Sequence, residues 1–161
     1  MPIHESVSES IELAVSAETA YNAISSPARI ASWSPELQSV RAEGSAGLVV
    51  GDTFGGSNKN GWHRWSTLST VCVANPPTDY AFDVTAAGQM VARWSFQIVT
   101  TSSGCRVTQT WTDQRHGPLG SAIRAIGLAA SGVWDRASHN SSGMRQTLEA
   151  MKTDVESGAE D

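Results

Sequence analysis

The stretch that decides the fold runs from Pro118 to Glu156 and reads PLGSAIRAIGLAASGVWDRASHNSSGMRQTLEAMKTDVE. Apolar residues recur along it at intervals of mostly three or four, which is typical of a helix with one buried face. These positions are Leu119, Ile123, Ile126, Ala130, Val133, Ala137, Met144, Leu148, Met151 and Val155. The stripe is interrupted at Asn140, a polar residue at a core-facing position, and a polar group there needs a partner or a cavity.

A single straight helix of this length does not fit a compact chain of 161 residues. It would measure roughly 58 Å, whereas a compact chain of this size is about 40 Å across. Glycine weakens a helix interior, and Gly127 and Gly132 are the natural places for a break. We therefore expect a short helical segment at 118–127 and a main helix at 129–155.

The residues before Pro118 predict the sheet on which this helix packs. Alternation of polar and apolar residues indicates a first strand at 8–15. Ser16 is the expected N-cap of a short helix, and Pro27 and Pro35 delimit a second one at 28–33. Six more strands are expected at 37–43, 53–57, 64–74, 80–85, 91–100 and 106–113, separated by turn sequences such as Glu43-Gly44 and Asn60-Gly61. The predicted fold class is α+β.

Two of these strands show which face is buried. In the sixth strand Trp94, Phe96 and Ile98 alternate with polar residues, and in the seventh Val107 and Trp111 do so. Because side chains alternate across a strand, Gln109 and Asp113 share the inner face with Trp111. The strand at 62–74 is apolar on both faces, so it stays open whether Arg64 or Trp65 points inward.

Length and charge bound the class of protein. We expect one domain at 1–156 followed by an acidic tail at 157–161. A formal charge of -5 and a pI near 5.3 argue against nucleic acid as a partner.

The sequence gives no sign of integral membrane association, because it has neither a signal-like start nor a long apolar run. We therefore expect a cytoplasmic protein. Cys72 and Cys105 are expected to be reduced there. The sequence leaves open whether the chain is a monomer or a homodimer.

Several motifs resemble one superfamily over roughly residues 5 to 155. The opening comprises Ser8-x-x-Ile11, then Ser16-Ala-Glu-Thr-Ala-Tyr21 and Pro27-Ala-Arg-Ile-Ala-Ser-Trp33-Ser-Pro35. It is similar to the start of START lipid-transfer domains, birch-pollen-allergen-like proteins and polyketide cyclases/dehydrases. Further motifs are Gly56-Ser-Asn-Lys-Asn-Gly61-x-x-Arg64-Trp65, Ala92-Arg-Trp94 and Trp134-Asp-Arg-x-x-His139-Asn140-x-x-Gly143-Met144. These resemble an actinobacterial polyketide cyclase/dehydrase-like subgroup whose members are mostly without assigned function.

The resemblance implies the helix-grip fold. In that fold a seven-stranded antiparallel sheet wraps around the long C-terminal helix, with two short helices between strands 1 and 2. It also implies an elongated cavity between sheet and helix for a lipid, sterol, hormone or polyketide. The fourth and seventh strands are not neighbours in this family, so Cys72 and Cys105 are expected to lie apart.

Two sets of residues are candidates for catalysis. Asp135 and His139 are four apart on the long helix, where a carboxylate can orient an imidazole as a base. The alternative is an ordinary surface pair. Asp113 ends the last strand close to Arg115 and His116, where it could perform acid-base chemistry or simply pair with Arg115 or a helix N-terminus. We therefore name His139 and Asp113 as the catalytic candidates.

The candidates for ligand binding are mostly tryptophans and inward-facing polar groups. Six tryptophans are many for this length, and an indole offers a large apolar body with one donor, although core packing explains any single one. The predicted ligand-binding residues are Trp33, Trp62, Arg64, Trp65, Trp94, Phe96, Gln109, Trp111, Asn140 and Met144. Arg64 is included because, in similar cyclases, such an arginine holds a polyketide carbonyl or enolate.

No cofactor or metal is expected. The glycine-rich stretch at 55–59 lacks the Gly-Lys-Ser/Thr ending of a phosphate loop, the four histidines show no ligand spacing, and there is no Gly-x-Ser-x-Gly elbow. Our leading hypothesis is binding of a small hydrophobic or amphipathic ligand in an internal cavity. The alternatives are a polyketide cyclase, aromatase or dehydratase, and a protein-interaction module with a vestigial cavity.

Overall fold

The computed structural model of the protein describes residues 5–42 and 47–158. These residues form seven strands and four helices, in the order expected from the sequence. They are β1 (Ser6–Leu13), α1 (Ala17–Ile24), α2 (Pro27–Trp33), β2 (Leu37–Ala42), β3 (Thr53–Asn60), β4 (His63–Asn75), β5 (Asp79–Ala86), β6 (Gln89–Thr101), β7 (Gly104–Asp113), α3 (Gly117–Ser131) and α4 (Arg136–Gly158). The predicted turn at Glu43-Gly44 lies outside the described residues.

The strands form one antiparallel sheet in the order β1-β7-β6-β5-β4-β3-β2. β1 and β2 are therefore the two edges, and α1 and α2 carry the chain from one edge to the other. Ser16 begins α1 as predicted, because its side chain accepts a hydrogen bond from the Thr19 amide at 3.1 Å. The helix-grip prediction, an α+β fold with a seven-stranded sheet and a long C-terminal helix, is confirmed.

The C-terminal helix breaks at one of the two predicted glycines. Gly132 has a φ of 71°, a left-handed conformation that suits glycine and ends α3. Gly127 stays inside α3, which is therefore longer than the segment expected at 118–127. The main helix begins at Arg136 rather than 129 and runs to Gly158, so the first two residues of the predicted tail are helical.

The two halves of the apolar stripe have different environments. In α4 the stripe is buried, and Met144, Leu148 and Met151 are at most 2% exposed. In α3 Leu119 and Ile126 are 60% and 67% exposed. The expectation that one continuous face is buried therefore holds for α4 and is wrong for α3, which lies over a hollow instead of a packed core.

The inner face of the sheet follows the predicted alternation. Val107, Gln109, Trp111 and Asp113 are all buried on β7, and Phe96 is buried on the neighbouring strand. Cys72 and Cys105 are not bonded to each other, and two strands separate β4 from β7. None of the helices in the described ranges is long and apolar enough to cross a bilayer.

Candidate functional site

A cavity of about 610 Å³ lies between the inner face of the sheet, α3 and α4. Its volume is in the range of about 300–1,000 Å³ that is usual for small-molecule sites. Aromatic and aliphatic side chains form most of its wall, and a few polar groups are placed among them. The apolar wall includes Ile30, Leu37, Phe54, Trp65, Phe82, Val84, Val91, Trp94, Phe96, Trp111, Leu119, Ile123, Ile126 and Met144.

Three indoles line this wall because of strand register. Trp94 on β6 is directly opposite Trp111 on β7, so the two rings share the inner face. The register left open by the sequence is now fixed: Trp65 lines the cavity, whereas Arg64 is exposed on the other face of β4. The candidate Arg64 is therefore outside the cavity, because neighbouring residues of a strand face opposite sides.

Two carboxamides lie in the buried part of the cavity. Gln109 on β7 and Asn140 on α4 both line it, and each is 5% exposed. The Oε1 atom of Gln109 is buried and has no hydrogen-bond partner among the described residues. A buried acceptor without a partner costs free energy unless a ligand or water supplies a donor. The interruption of the apolar stripe at Asn140 thus faces a cavity, one of the two possibilities that the sequence left open.

A second polar group is formed by Glu36, Arg136 and His139, all on the cavity wall. Arg136 donates to Glu36 Oε1 at 2.9 Å, and His139 Nε2 lies 3.4 Å from the same oxygen. The guanidinium of Arg136 also lies over the Trp65 ring, 5.6 Å from its centre. Sequence reasoning missed Glu36 as the partner of His139, since the two are brought together only by the fold.

Asp135 does not orient His139. Its carboxylate accepts hydrogen bonds from the Ser138 amide at 3.1 Å and the Ser138 hydroxyl at 2.7 Å, which makes it the N-cap of α4. These bonds hold the pKa of the Asp135 carboxyl below its ordinary value. The proposed Asp135–His139 pair is therefore wrong, because a capping side chain points toward its own helix.

Asp113 is a buried anchor for two arginines. It is 1% exposed, and Arg115 donates to it through Nε at 2.8 Å and Nη2 at 3.0 Å. Arg124 on α3 reaches the same carboxylate at 2.8 Å. Burial alone would raise the pKa of Asp113, but the hydrogen bonds from Arg115 and the charges of both arginines outweigh burial and lower it. Asp113 thus pairs with Arg115, which the sequence offered as the alternative to acid-base chemistry.

This anchor places Arg115 beneath α3. Gly120 is needed there, since a Cβ at that position would lie 2.5 Å from the carbonyl carbon of Arg115. At the other end of α3, the Asn60 side-chain amide donates to the Ser131 carbonyl at 2.8 Å. Helix α3 is therefore held at both ends while its middle covers the cavity.

Two other predicted residues lie away from the cavity. Trp33 is a core residue whose Nε1 donates to Asp154 at 2.9 Å, with Arg29 over its ring. Trp62 is 86% exposed in the turn between β3 and β4. Asp113 is also absent from the wall, where Arg115 takes its place. The predicted residues that the structure brings together on the wall are Trp65, Trp94, Phe96, Gln109, Trp111, His139, Asn140 and Met144.

These features define a helix-grip protein with a largely apolar internal cavity. The chain belongs to the family described as polyketide cyclase / dehydrase and lipid transport, whose model matches residues 4–156. The resemblance to the START-like superfamily is thereby confirmed. Within residues 5–42 and 47–158, no group of three or more His, Cys, Asp or Glu side chains is arranged to hold a metal ion.

Solved structures share the fold at low sequence identity. A polyketide cyclase-like protein from Corynebacterium glutamicum is 24% identical, with a TM-score of 0.65 over 99% of this chain and 96% of that one. An AHSA1-like protein from Aeromonas hydrophila is 19% identical, with a TM-score of 0.62 over 98% and 96%. The di-domain ARO/CYC StfQ of the steffimycin biosynthetic pathway is 15% identical, with a TM-score of 0.71 over 97% of this chain and 52% of that one. No match was found among the curated proteins.

Proposed function

We propose that the protein binds a small, largely apolar molecule carrying at least one polar group, in the cavity beneath α3. The observation that carries the proposal is a cavity of about 610 Å³ with indole walls and two buried carboxamides. A packed core of this composition would leave no such space, since protein interiors are close-packed. The apolar wall supplies burial, and the carboxamides orient the polar end of the ligand.

The polar end of the ligand is expected to include a hydrogen-bond donor such as a hydroxyl group. Gln109 lines the cavity, and its Oε1 is shielded and without a partner among the described residues, so a ligand donor gains a bond there once the side-chain amide turns toward it. The charged groups on the wall already have protein counter-ions: Arg115 pairs with Asp113, and Arg136 pairs with Glu36. These pairings favour a ligand whose polar end is uncharged.

This proposal is tested with naphthol and naphthalene, which differ by one hydroxyl group. Both are expected to quench the fluorescence of Trp94 and Trp111. Replacing Gln109 by leucine should weaken naphthol binding by about 3- to 10-fold, the value of one neutral hydrogen bond. Naphthalene binding should stay unchanged, because it makes no such bond.

Gln97→Leu is the matched control, because Gln97 is exposed on the outer face of β6. It should leave both titrations unaltered. Equal losses for naphthol and naphthalene in Gln109→Leu would show a general disturbance of the cavity instead of a lost hydrogen bond. Absence of binding by either compound to the wild-type protein would count against the proposed function.

A cyclase or dehydratase is the second candidate, and the Glu36–His139 contact favours it. A base at the cavity wall could remove the acidic proton from a carbon between two carbonyl groups, with Glu36 orienting the imidazole. Asp113 does not serve as the base in this candidate mechanism, because arginines occupy both of its oxygens. His139→Ala should then lower turnover of a poly-β-ketone thioester by about 100-fold or more.

The control for this second candidate is His116→Ala, because His116 is exposed ahead of α3 and is not part of the cavity wall. It should leave turnover intact. If the wild-type protein binds the thioester without converting it, or if His139→Ala turns it over at the wild-type rate, the catalytic role of His139 is refuted. The binding role of the cavity would stand in either case.

A further inference from the structure

Two tryptophans of this protein are almost fully exposed. Trp62 is 86% exposed in the turn between β3 and β4, and Trp134 is 88% exposed in the connection between α3 and α4. An exposed indole leaves a large apolar ring in contact with water. Trp is enriched at interfaces, where its ring meets apolar surroundings and its N–H group meets water. Neither ring takes part in the cavity wall.

The two indoles lie at one corner of the molecule. The side-chain amide of Asn60 donates to the Ser131 carbonyl at 2.8 Å. Gly132 lies against His63 so closely that a Cβ there would be 2.7 Å from the imidazole ring. Trp62 in turn packs beside His63, with ring centres 4.5 Å apart. We call residues 59–64 and 131–135 together the tryptophan corner.

The tryptophan corner also carries two exposed cations, Lys59 and Arg64. Lys59 and Arg64 are directly opposite each other on β3 and β4, both exposed, and neither has an ion-pair partner among the described residues. Like charges directly opposite on neighbouring strands destabilise a sheet, so an external anion would relieve them. The one carboxylate in the corner, Asp135, is engaged by Ser138 as the cap of α4.

The β3–β4 hairpin, residues 53–75, has a charge opposite to that of the rest of the chain. It contains Lys59 and Arg64 and no aspartate or glutamate. Because the whole chain has a formal charge of -5, this +2 hairpin leaves -7 for the other residues. Such an asymmetry orients the molecule in an electric field, with the tryptophan corner toward a negative surface.

We propose that the tryptophan corner docks on the surface of an anionic lipid bilayer. The two indoles enter the headgroup region, where Trp side chains concentrate in membrane-associated proteins. Lys59 and Arg64 contact the anionic headgroups. Ser131 belongs both to this corner and to the cavity wall, so the docked surface adjoins the cavity. Docking does not depend on what the cavity binds.

The test is binding to vesicles of equal parts phosphatidylcholine and phosphatidylglycerol, measured by cosedimentation. The Trp62→Ala/Trp134→Ala variant should bind at least about 10-fold more weakly, because the variant has no indoles to bury in the headgroup region. The Lys59→Gln/Arg64→Gln variant should lose roughly 25-fold, about fivefold for each cation near the surface. Pure phosphatidylcholine vesicles and high salt should each reduce wild-type binding, since the attraction is electrostatic.

Matched controls lie elsewhere on the surface. Arg106→Gln/Arg145→Gln removes two exposed cations, and Val73→Thr/Val99→Thr removes two exposed apolar groups, all outside the corner. Both variants should bind vesicles like the wild type. The proposal would be overturned if the wild-type protein did not bind the vesicles, or if the control variants lost as much binding as the corner variants. Self-association in sedimentation velocity that disappears with Trp62→Ala/Trp134→Ala would also overturn it, by assigning the corner to a second copy of the chain.

Discussion

Replacement of Asp113 by asparagine should lower the free energy of unfolding by about 3 kcal/mol or more. The carboxylate is 1% exposed and accepts from Arg115 and Arg124 at the same time. Asparagine keeps the shape but puts an NH₂ group where one oxygen was, so donors face donors. Most of the loss should come from Arg115, which is only 13% exposed. Chemical denaturation at neutral pH measures the effect.

Two variants separate the buried anchor from surface charge. Arg124→Gln should cost about 1 kcal/mol or less, because its side chain is 41% exposed. Glu12→Gln breaks an ion pair with Arg106 in which both side chains are more than half exposed, and it should cost still less. If Asp113→Asn proved no more destabilising than Glu12→Gln, Asp113 would not be the anchor that fixes α3.

The same anchor predicts how stability depends on pH. The pKa of Asp113 is below its ordinary value of 3.8, so the folded state holds this carboxylate ionised more readily than the unfolded chain does. Its contribution is complete above that ordinary value and is lost as pH falls through the lower, folded pKa. Part of the acid-induced loss of stability should therefore be missing in Asp113→Asn.

The Asp113→Asn variant should also loosen α3 locally. At neutral pH, its amide hydrogen exchange should be faster than that of the wild type, and the increase should be larger in α3 than in α4.

Replacement of Ala130 by tryptophan should abolish ligand binding, with a loss of more than about 100-fold. Ala130 lies on the face of α3 that lines the cavity, and the added indole would occupy the space proposed for the ligand. The fold should tolerate the change, since the ring enters a void rather than a packed core. Naphthol titration and chemical denaturation of the same preparation measure both effects.

Ala129→Trp is the matched control for this prediction. Ala129 is the preceding residue of the same helix, is exposed, and does not line the cavity. It adds the same ring to α3 and should leave binding unchanged. Loss of binding in both variants would point to a general disturbance of α3, and retention in both would place the ligand somewhere other than this cavity.

The sequence predicted the inner face of the sheet where alternation was regular. On β6 and β7 apolar and polar residues alternate, so Trp94, Phe96, Gln109 and Trp111 could be placed correctly. β4 could not be placed, because Leu68 and Val73 are 49% and 37% exposed and give its outer face an apolar character as well. The register of β4 is fixed only by the fold: Trp65 pairs with Asn58 on β3, and both side chains line the cavity.

The residues that sequence reasoning placed wrongly depend on contacts between distant parts of the chain. Trp33 is held in the core by Asp154, and His139 lies beside Glu36 instead of Asp135. No local pattern distinguishes a tryptophan with such a partner from one that lines a cavity. Trp62 was misplaced for another reason: its position in a turn left its ring exposed, which residue type alone does not reveal.

Native mass spectrometry of the wild-type protein purified from its own host tests the central claim most directly. A ligand bound in the cavity should appear as a single co-purifying organic molecule that adds a discrete mass to the wild type and to Ala129→Trp, and that is absent from Ala130→Trp. The same adduct retained in full by Ala130→Trp, or a bare polypeptide mass in every gentle preparation, would contradict it.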